Sequence, residues 1–319
     1  MNSELAISIV SWNTREMLRV CLHSLRRYCR QGHTRVIVID NASKDGTPDM
    51  IRNEFPEVQL IESGGNLGFG KAHNLVRQHS NEPHILFLNP DTEFLEPSHE
   101  AMLQAMRDDP SIGAASCTLI DPDGTVNPLG IQWFPSPWTE LIAQLFISRT
   151  SQRLLARVLP THDAERDGAV KKLYGGCLML RREVLDRVGW FDERFFMYGE
   201  DVDLSRRVYE GGYKLWHVAS TRVIHLGGGA SAKAPGRFAV LMQYESISKL
   251  MRKNYGALGR LVYVATAFTR ALLRMTALSL VRAVRVVMRR DTTALQQSWG
   301  KQRSILRWSL GLERPSIPK

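Results

Sequence analysis

An α/β fold, with a mostly parallel sheet and helices on both faces, is what the sequence predicts. Three observations carry this. Short apolar runs alternate with helical patterns over residues 7–89, the pattern of a sheet built from strand–helix–strand units. The composition, 44% hydrophobic and 23% charged, is that of a globular chain and excludes a disordered or fibrous architecture. Polar residues gather where the strands end: Asn13 and Thr14, Asp40 and Asn41, Asn89 and Asp91. Open α/β sheets bind ligands at the carboxyl ends of their strands.

The elements follow in order. Ile7–Trp12 reads as a buried strand and Arg15–Tyr28 as a helix. Arg35–Asp40, Val58–Glu62 and His84–Asn89 read as further strands, with helices over Thr47–Asn53 and Gly70–His79. Later come an amphipathic helix at Thr139–Val158, a strand at Gly176–Leu180 and a helix at Arg182–Val188. A helix over Val202–Glu210 ends at Gly211 and Gly212, and two strands follow at Lys214–Val218 and Thr221–His225. The four cysteines form no CxxC pair and so no metal or disulfide framework. No stretch supplies the roughly 20 uninterrupted apolar residues of a spanning helix, and the N-terminus does not read as a signal peptide.

Four segments carry chemistry. In Asn89–Glu93 (NPDTE), at the end of an apolar strand, Asp91 offers oxygen to a hard cation such as Mg²⁺; the same residues suit a turn. Ser63–Asn74 (SGGNLGFGKAHN) is a Gly-rich turn into a helix, able to approach an anion but matching neither GxGxxG nor a Walker loop. In Tyr198–Arg207 (YGEDVDLSRR), Asp203 faces Arg207 one turn on, while Glu200 and Asp201 follow an aromatic loop that would desolvate a general base. In Val223–Ser231 (VIHLGGGAS), His225 ends a strand; such a histidine is a metal ligand or a structural residue.

Taken in order, ISIVSWN, VIVIDNASKDGT, GGNLGFGKAHN, LFLNPDT, GGCLMLRREVLDRVGWFDERFFMYGEDVDLSRR and VIHLGGGAS resemble the family 2 glycosyltransferases of GT-A fold. Within that family they most resemble the bacterial rhamnosyltransferases that act on lipid-linked saccharides. The resemblance covers residues 5–231 and implies a catalytic domain over residues 1–235. It implies that Asp40, Ser11, Asn13, Asn66, Gly68, Lys71 and Asn89 bind a nucleotide-sugar donor. It also implies that Asp91 and His225 hold Mg²⁺ or Mn²⁺, and that Asp201, with Glu200 beside it, is the catalytic base. Asn89 stands where the family has the first Asp of its DxD motif. The implied reaction is inverting transfer, of L-rhamnose from dTDP-rhamnose in the first instance, to a polyprenyl-diphosphate-linked saccharide in surface polysaccharide synthesis. A nicotinamide-dependent dehydrogenase is the rival enzyme class, disfavoured because no GxGxxG follows the first strand. A non-catalytic nucleotide- or membrane-surface-binding protein is the rival without catalysis.

The net charge of +10 is unevenly placed. Residues 251–319 hold 14 Lys and Arg against 2 Asp and Glu. Residues 236–319 read as a helical basic extension. In it Arg260, Arg270, Arg274, Arg282, Arg285 and Arg289 fall on one helical face of an otherwise apolar stretch. That pattern suits an anionic membrane surface, and hence a cytoplasmic enzyme peripheral on the inner face of the membrane. The residues between the arginines are aliphatic rather than aromatic, which disfavours nucleic acid.

Overall fold

A computed structural model describes residues 3–29, 32–129, 132–145, 161–227 and 237–317. The chain divides into two compact units. The first comprises Met1–Phe134 and Leu159–Lys233; the second comprises Pro135–Val158 and Ala234–Pro318. The segment from Pro135 thus joins the helical extension rather than the domain that precedes it in sequence. Of the helix expected over Thr139–Val158, residues 137–145 form one, and the remainder lies outside the described residues, as do residues 228–231 of the His225 segment.

The first unit is a nine-stranded sheet. In chain order it contains β1 (Leu5–Ser11), α1 (Arg15–Tyr28), β2 (Thr34–Asp40), α2 (Thr47–Glu54), β3 (Gln59–Glu62) and α3 (Phe69–Asn74). Then come β4 (His84–Leu88), β5 (Thr92–Phe94), α4 (Ser98–Asp108) and β6 (Ile112–Ile120). After α5 (Pro137–Leu145), which belongs to the second unit, it continues with β7 (Gly168–Val170), β8 (Cys177–Arg181), α6 (Arg182–Val188), α7 (Glu200–Glu210) and β9 (Lys214–His225).

Strand order is β3-β2-β1-β4-β8-β6-β9-β5, with β7 on β9. The α/β class is as expected, but the sheet is mixed rather than mostly parallel. Strands β3, β2, β1 and β4 are parallel, as are β6 and β9. Strand β8 lies between β4 and β6 antiparallel to both, and β5 and β7 are antiparallel to β9. A strand buried on both faces reads as one apolar run whichever way it points, so GCLML gave no direction. The two strands expected over residues 214–225 are one, with an irregular register where Val218 and Arg222 face Cys117 and Thr118. Strand β6 and helix α4 have no counterpart in the sequence reading. The run IGAASCTLI is mostly small residues, although all but one of them are buried, so its hydrophobic signal is weak.

The sheet alternates as a strand must. Leu5, Ile7 and Ile9 pack against α1, α2 and α4, while Ala6 and Val10 face α3, α6 and α7 on the other side. The carboxyl ends of β1, β2 and β4 are thereby held level, and their loops converge.

The second unit contains α5, α8 (Phe238–Val287) and α9 (Thr293–Ser309). Helix α8 is broken at Gly256, whose φ of 66° and ψ of −162° are not helical. Leu241, Met251, Tyr263, Ala267 and Ala271 of α8 pack on Ile305 and Trp308 of α9. The Trp308 indole N–H donates to the Glu245 carboxylate at 2.8 Å. Although no uninterrupted apolar run of spanning length stands out along the chain, α8 is long and apolar enough to cross a membrane by length and composition.

Candidate functional site

The turn after β1 and the turn after β2 are built as one. Ser11 pairs in register with Asp40, and the Asn41 N–H extends the ladder to the Ser11 carbonyl at 2.8 Å. Asn13 and Ala42 sit at φ 54° and 61°, a left-handed conformation that Asn tolerates better than most residues. The Asn13 N–H donates to Ser43 Oγ at 2.9 Å, and Asn13 Oδ1 accepts the Lys44 N–H at 2.7 Å. Ser11 itself is fully buried, its hydroxyl bonded to Thr14 at 2.8 Å, so it shapes the turn from beneath.

Asp40 is the polar focus of this corner. Its Oδ2 accepts the Ser43 N–H at 2.9 Å, while its buried Oδ1 has no hydrogen-bond partner. Burial raises its pKa, against the pull of Ser43. An unpaired buried carboxylate oxygen is costly, and this one stands at the carboxyl end of β2.

The Gly-rich turn is locked to both neighbours. Asn41 Nδ2 donates to the Gly68 carbonyl at 2.9 Å, Asn66 Oδ1 accepts the Gly68 N–H at 3.1 Å, and the Phe69 N–H donates to the Phe196 carbonyl at 2.8 Å. Gly68 has φ +81°, and a Cβ there would meet the Phe196 carbonyl oxygen at 2.2 Å. Gly68→Ala is therefore expected to destabilise the protein by about 3 kcal/mol or more, read as a lowered denaturation midpoint at unchanged m-value. Lys71 points elsewhere: its ammonium is 3.4 Å from Glu193, with both side chains about half exposed, a pair of little energetic weight.

The aromatic loop before α7 is pinned at two points. The Asn74 side-chain amide exchanges hydrogen bonds with the backbone of Phe191, at 2.9 and 3.0 Å. The Asp203–Arg207 pair expected from spacing forms at 2.9 Å, and Arg207 also donates to the carbonyls of Val188 and Trp190. This presents Glu200 and Asp201 at the start of α7.

The two carboxylates differ. Glu200 is buried, its Oε2 without a partner, and its pKa is pushed up to about 8, first by burial and then by the charge of Asp201. Asp201 is half-buried and also raised by burial, but the N–H groups of Gly175 (3.1 Å) and Val202 (2.8 Å) and the charge of Lys172 oppose this. The donors on Asp201 favour its ionised form while Glu200 Oε2 has none, so of the two it is Glu200 that holds a proton the more firmly. The folded Glu200 binds its proton above the ordinary carboxylate range near 4.5, so its stability contribution is full below that value and is lost as pH rises towards 8. Glu200→Gln, which keeps the neutral shape, is expected to gain stability relative to the parent progressively between pH 4.5 and 8. Thermal melts across that range check it.

Asp91 is buried, 5% exposed, at the end of β4. Its Oδ1 lies 3.4 Å from His225 Nε2, which is 3.0 Å from Asn89 Nδ2. The β5–β9 pairing sets Thr92 opposite His225, which brings together residues far apart in sequence. The donor set fits a hard divalent cation: one carboxylate oxygen and one imidazole nitrogen, with remaining positions open to ligand oxygens and water. Among the described residues no group of three or more His, Cys, Asp or Glu gathers into a closed metal cage.

The sequence reading did not assign a role to the residues that join these halves, Gly175 and Gly176. The Gly175 N–H bonds Asp201, and a Cβ on Gly175 would lie 3.6 Å from the Asp201 Cβ. The Gly176 carbonyl accepts the Asn89 N–H at 3.0 Å, and a Cβ on Gly176 would lie 3.5 Å from the His225 ring. Two consecutive residues lacking side chains thus border the Asp91–His225 pair on one side and Asp201 on the other. Their signal in the sequence was a Gly-Gly pair opening an apolar strand. A separate cleft of about 780 Å³ lies at the amino ends of β1 and β2, lined by Ser3, Arg35 and Glu82 among others, and holds none of these groups.

Known proteins resemble this chain in sequence or in fold. The chain is 34% identical over 217 residues to the N-acetylglucosaminyl-diphospho-decaprenol L-rhamnosyltransferase of Mycobacterium tuberculosis, a match that takes in 60% of this chain and spans 66% of that relative's length. It is 25% identical over 228 residues to rhamnosyltransferase WbbL of Escherichia coli, covering 69% of this chain and 82% of the relative. The mannosyltransferase PcManGT from Pyrobaculum calidifontis, solved with GDP-Man and Mn²⁺, shares the fold with a TM-score of 0.58 at 15% identity, over 98% of this chain and 87% of that one. GalNAc-T7, solved with UDP, GalNAc and Mn²⁺, shares it with a TM-score of 0.52 at 17% identity, over 70% of this chain and 44% of that one. The family profile described as glycosyl transferase family 2 matches residues 6–189, from the first strand through α6. With that match running through the Asp40, Gly68 and Asp91 segments, the chain belongs to glycosyl transferase family 2.

Proposed function

We propose that the chain is an inverting, metal-dependent glycosyltransferase. It transfers a sugar from a nucleoside-diphosphate donor to a hydroxyl of a saccharide acceptor. L-rhamnose from dTDP-rhamnose is the donor we favour, and a polyprenyl-diphosphate-linked saccharide the acceptor, in the synthesis of a surface polysaccharide. The enzyme acts in the cytoplasm, peripheral on the inner face of an anionic membrane. The observation that carries the reading is the Gly175–Gly176 pair, bordered by Asp91 and His225 on one side and by Asp201 on the other.

Each residue has a role. Asp40 accepts a donor group of the base or ribose through its unpartnered Oδ1. Asn13, Asn66 and Gly68, with Ser11 beneath, shape the wall around the nucleotide. Asn89 borders the diphosphate, and Lys71, paired with Glu193, would leave that partner to reach the donor. Asp91 and His225 would hold Mg²⁺ or Mn²⁺. Such an ion, when bound, supplies Lewis-acid stabilisation of the charge that develops on the diphosphate.

Asp201 takes the proton of the attacking hydroxyl while the bond between sugar carbon and phosphate oxygen breaks. One base and a direct displacement invert the anomeric carbon. Glu200, neutral near pH 7, leaves Asp201 without a second full charge beside it. The two N–H groups on Asp201 keep it ionised and fix its direction.

Calorimetric titration with dTDP and UDP, with and without Mn²⁺, tests the reading. Binding that requires the metal is expected, followed by transfer from a nucleotide sugar to acceptors in a membrane extract. Metal-independent binding of NAD(P) with no affinity for nucleoside diphosphates would overturn it.

A further inference from the structure

We propose that residues 272–288, the end of α8 with the residue that follows it, form an in-plane anchor lying in the headgroup region of an anionic phospholipid bilayer. The preceding part of the same helix serves the fold of the helical unit. This rests on the peripheral-membrane reading above and fixes the residues that carry it.

The basic stripe visible in the sequence divides in two. Up to Ala271 the helix is docked: Tyr263, Ala267 and Ala271 are buried against the α9 core. The arginines of this half serve the unit itself. Arg260 Nε donates to Ser248 Oγ, and Arg270 Nη1 donates to Tyr244 Oη, each at 3.2 Å. Arg274, one turn on, is still half-buried.

Beyond Arg274 the character changes. No residue from 272 to 290 is buried, and residues 279–290 are all exposed. Leu280 is 70% exposed, Val284 53% and Val287 84%. At about 100° per residue these three, with Leu273, cluster on one face. Arg282, Arg285 and Arg289 cluster on the opposite face. Residues 272–290 contain no Asp or Glu. An exposed helix end with an apolar face, and opposite it arginines interspersed with Met275, Leu278 and Val286, Arg285 also bonding the Asp291 carbonyl, complements an anionic interface, where apolar side chains enter the acyl boundary and arginines stay at phosphate level.

Lying along the surface fits better than crossing it, although α8 has the length and composition to span. The apolar stretch from Leu261 is interrupted by Arg270 and Arg274, and its Tyr263, Ala267 and Ala271 are already buried in protein. Residues 272–288 then measure about 25 Å at 1.5 Å per residue, and they carry arginines along their length rather than at their ends.

The test is co-sedimentation of the full chain with vesicles of phosphatidylglycerol and phosphatidylcholine, compared with phosphatidylcholine alone. The parent is expected to bind the anionic vesicles at least tenfold more tightly and to be released by a carbonate wash at pH 11. Leu280→Glu/Val284→Glu/Val287→Glu should lose that binding, and Arg282→Gln/Arg285→Gln/Arg289→Gln should lose the preference for anionic lipid. Both should keep the parent's circular dichroism, since these side chains are exposed. Arg260→Gln should bind vesicles as the parent does. Equal binding to neutral vesicles, carbonate-resistant association, or a triple-Glu variant that binds vesicles normally but changes oligomeric state would each overturn the proposal. Metal-dependent binding of dTDP, measured on the same variants without vesicles, should be unaltered throughout. Its absence in the parent would count against the transferase reading and leave the anchor standing.

Discussion

Replacing Asp201 with asparagine is expected to lower turnover by about 10²–10⁴-fold, the usual contribution of a positioned general base. Donor affinity should stay within a few-fold of the parent. The amide oxygen can still accept one of the N–H groups of Gly175 and Val202 that now bond the carboxylate, so the start of α7 keeps its place. What is lost is the capacity to take a proton from the acceptor hydroxyl. An interaction made only in the transition state shows itself as a fall in kcat and kcat/KM together. Single-turnover measurement of nucleoside diphosphate release, alongside calorimetry of donor binding, separates the two quantities. An Asp201→Asn enzyme with the parent's turnover would remove this residue from the mechanism. The position of Glu200 next to it makes the experiment sharper: buried and neutral, it is poorly placed to substitute as a base.

Asp91→Ala should have an effect of similar size by a different route. The residue is almost fully buried and within 3.4 Å of His225, so its carboxylate contributes the negative charge of the pair proposed to hold the cation. Without it, metal-dependent binding of dTDP or UDP should disappear, and kcat/KM should fall on the order of 10³-fold, equivalent to about 4 kcal/mol of lost transition-state stabilisation. Titration of Mn²⁺ in the presence of the nucleotide reads this directly. His225→Ala should weaken the apparent metal affinity while leaving Asp91 able to bind. A variant lacking Asp91 whose nucleotide binding still requires Mn²⁺ would place the metal elsewhere.

Much of the first unit is legible along the chain. Strands β1, β2 and β4 were legible because they are continuous apolar runs, and so was the gathering of polar residues at their carboxyl ends. Asp203 and Arg207 were legible because their partnership is set by helix period alone. The basic stripe of α8 was visible for the same reason. The tertiary structure decided what depends on contacts distant along the chain. The direction of β8 is fixed by neighbours from both halves of the sheet, and an apolar run carries no direction. His225 meets Asp91 only because β5 pairs with β9 across more than 130 intervening residues, Asn89 lying 136 positions from its histidine partner. The role of Gly175 and Gly176 is to leave space, which no side chain in the sequence announces. The basic stripe of α8 likewise looked uniform, because periodicity records which residues share a face. Only packing separates the arginines held by Ser248 and Tyr244 from those left facing solvent.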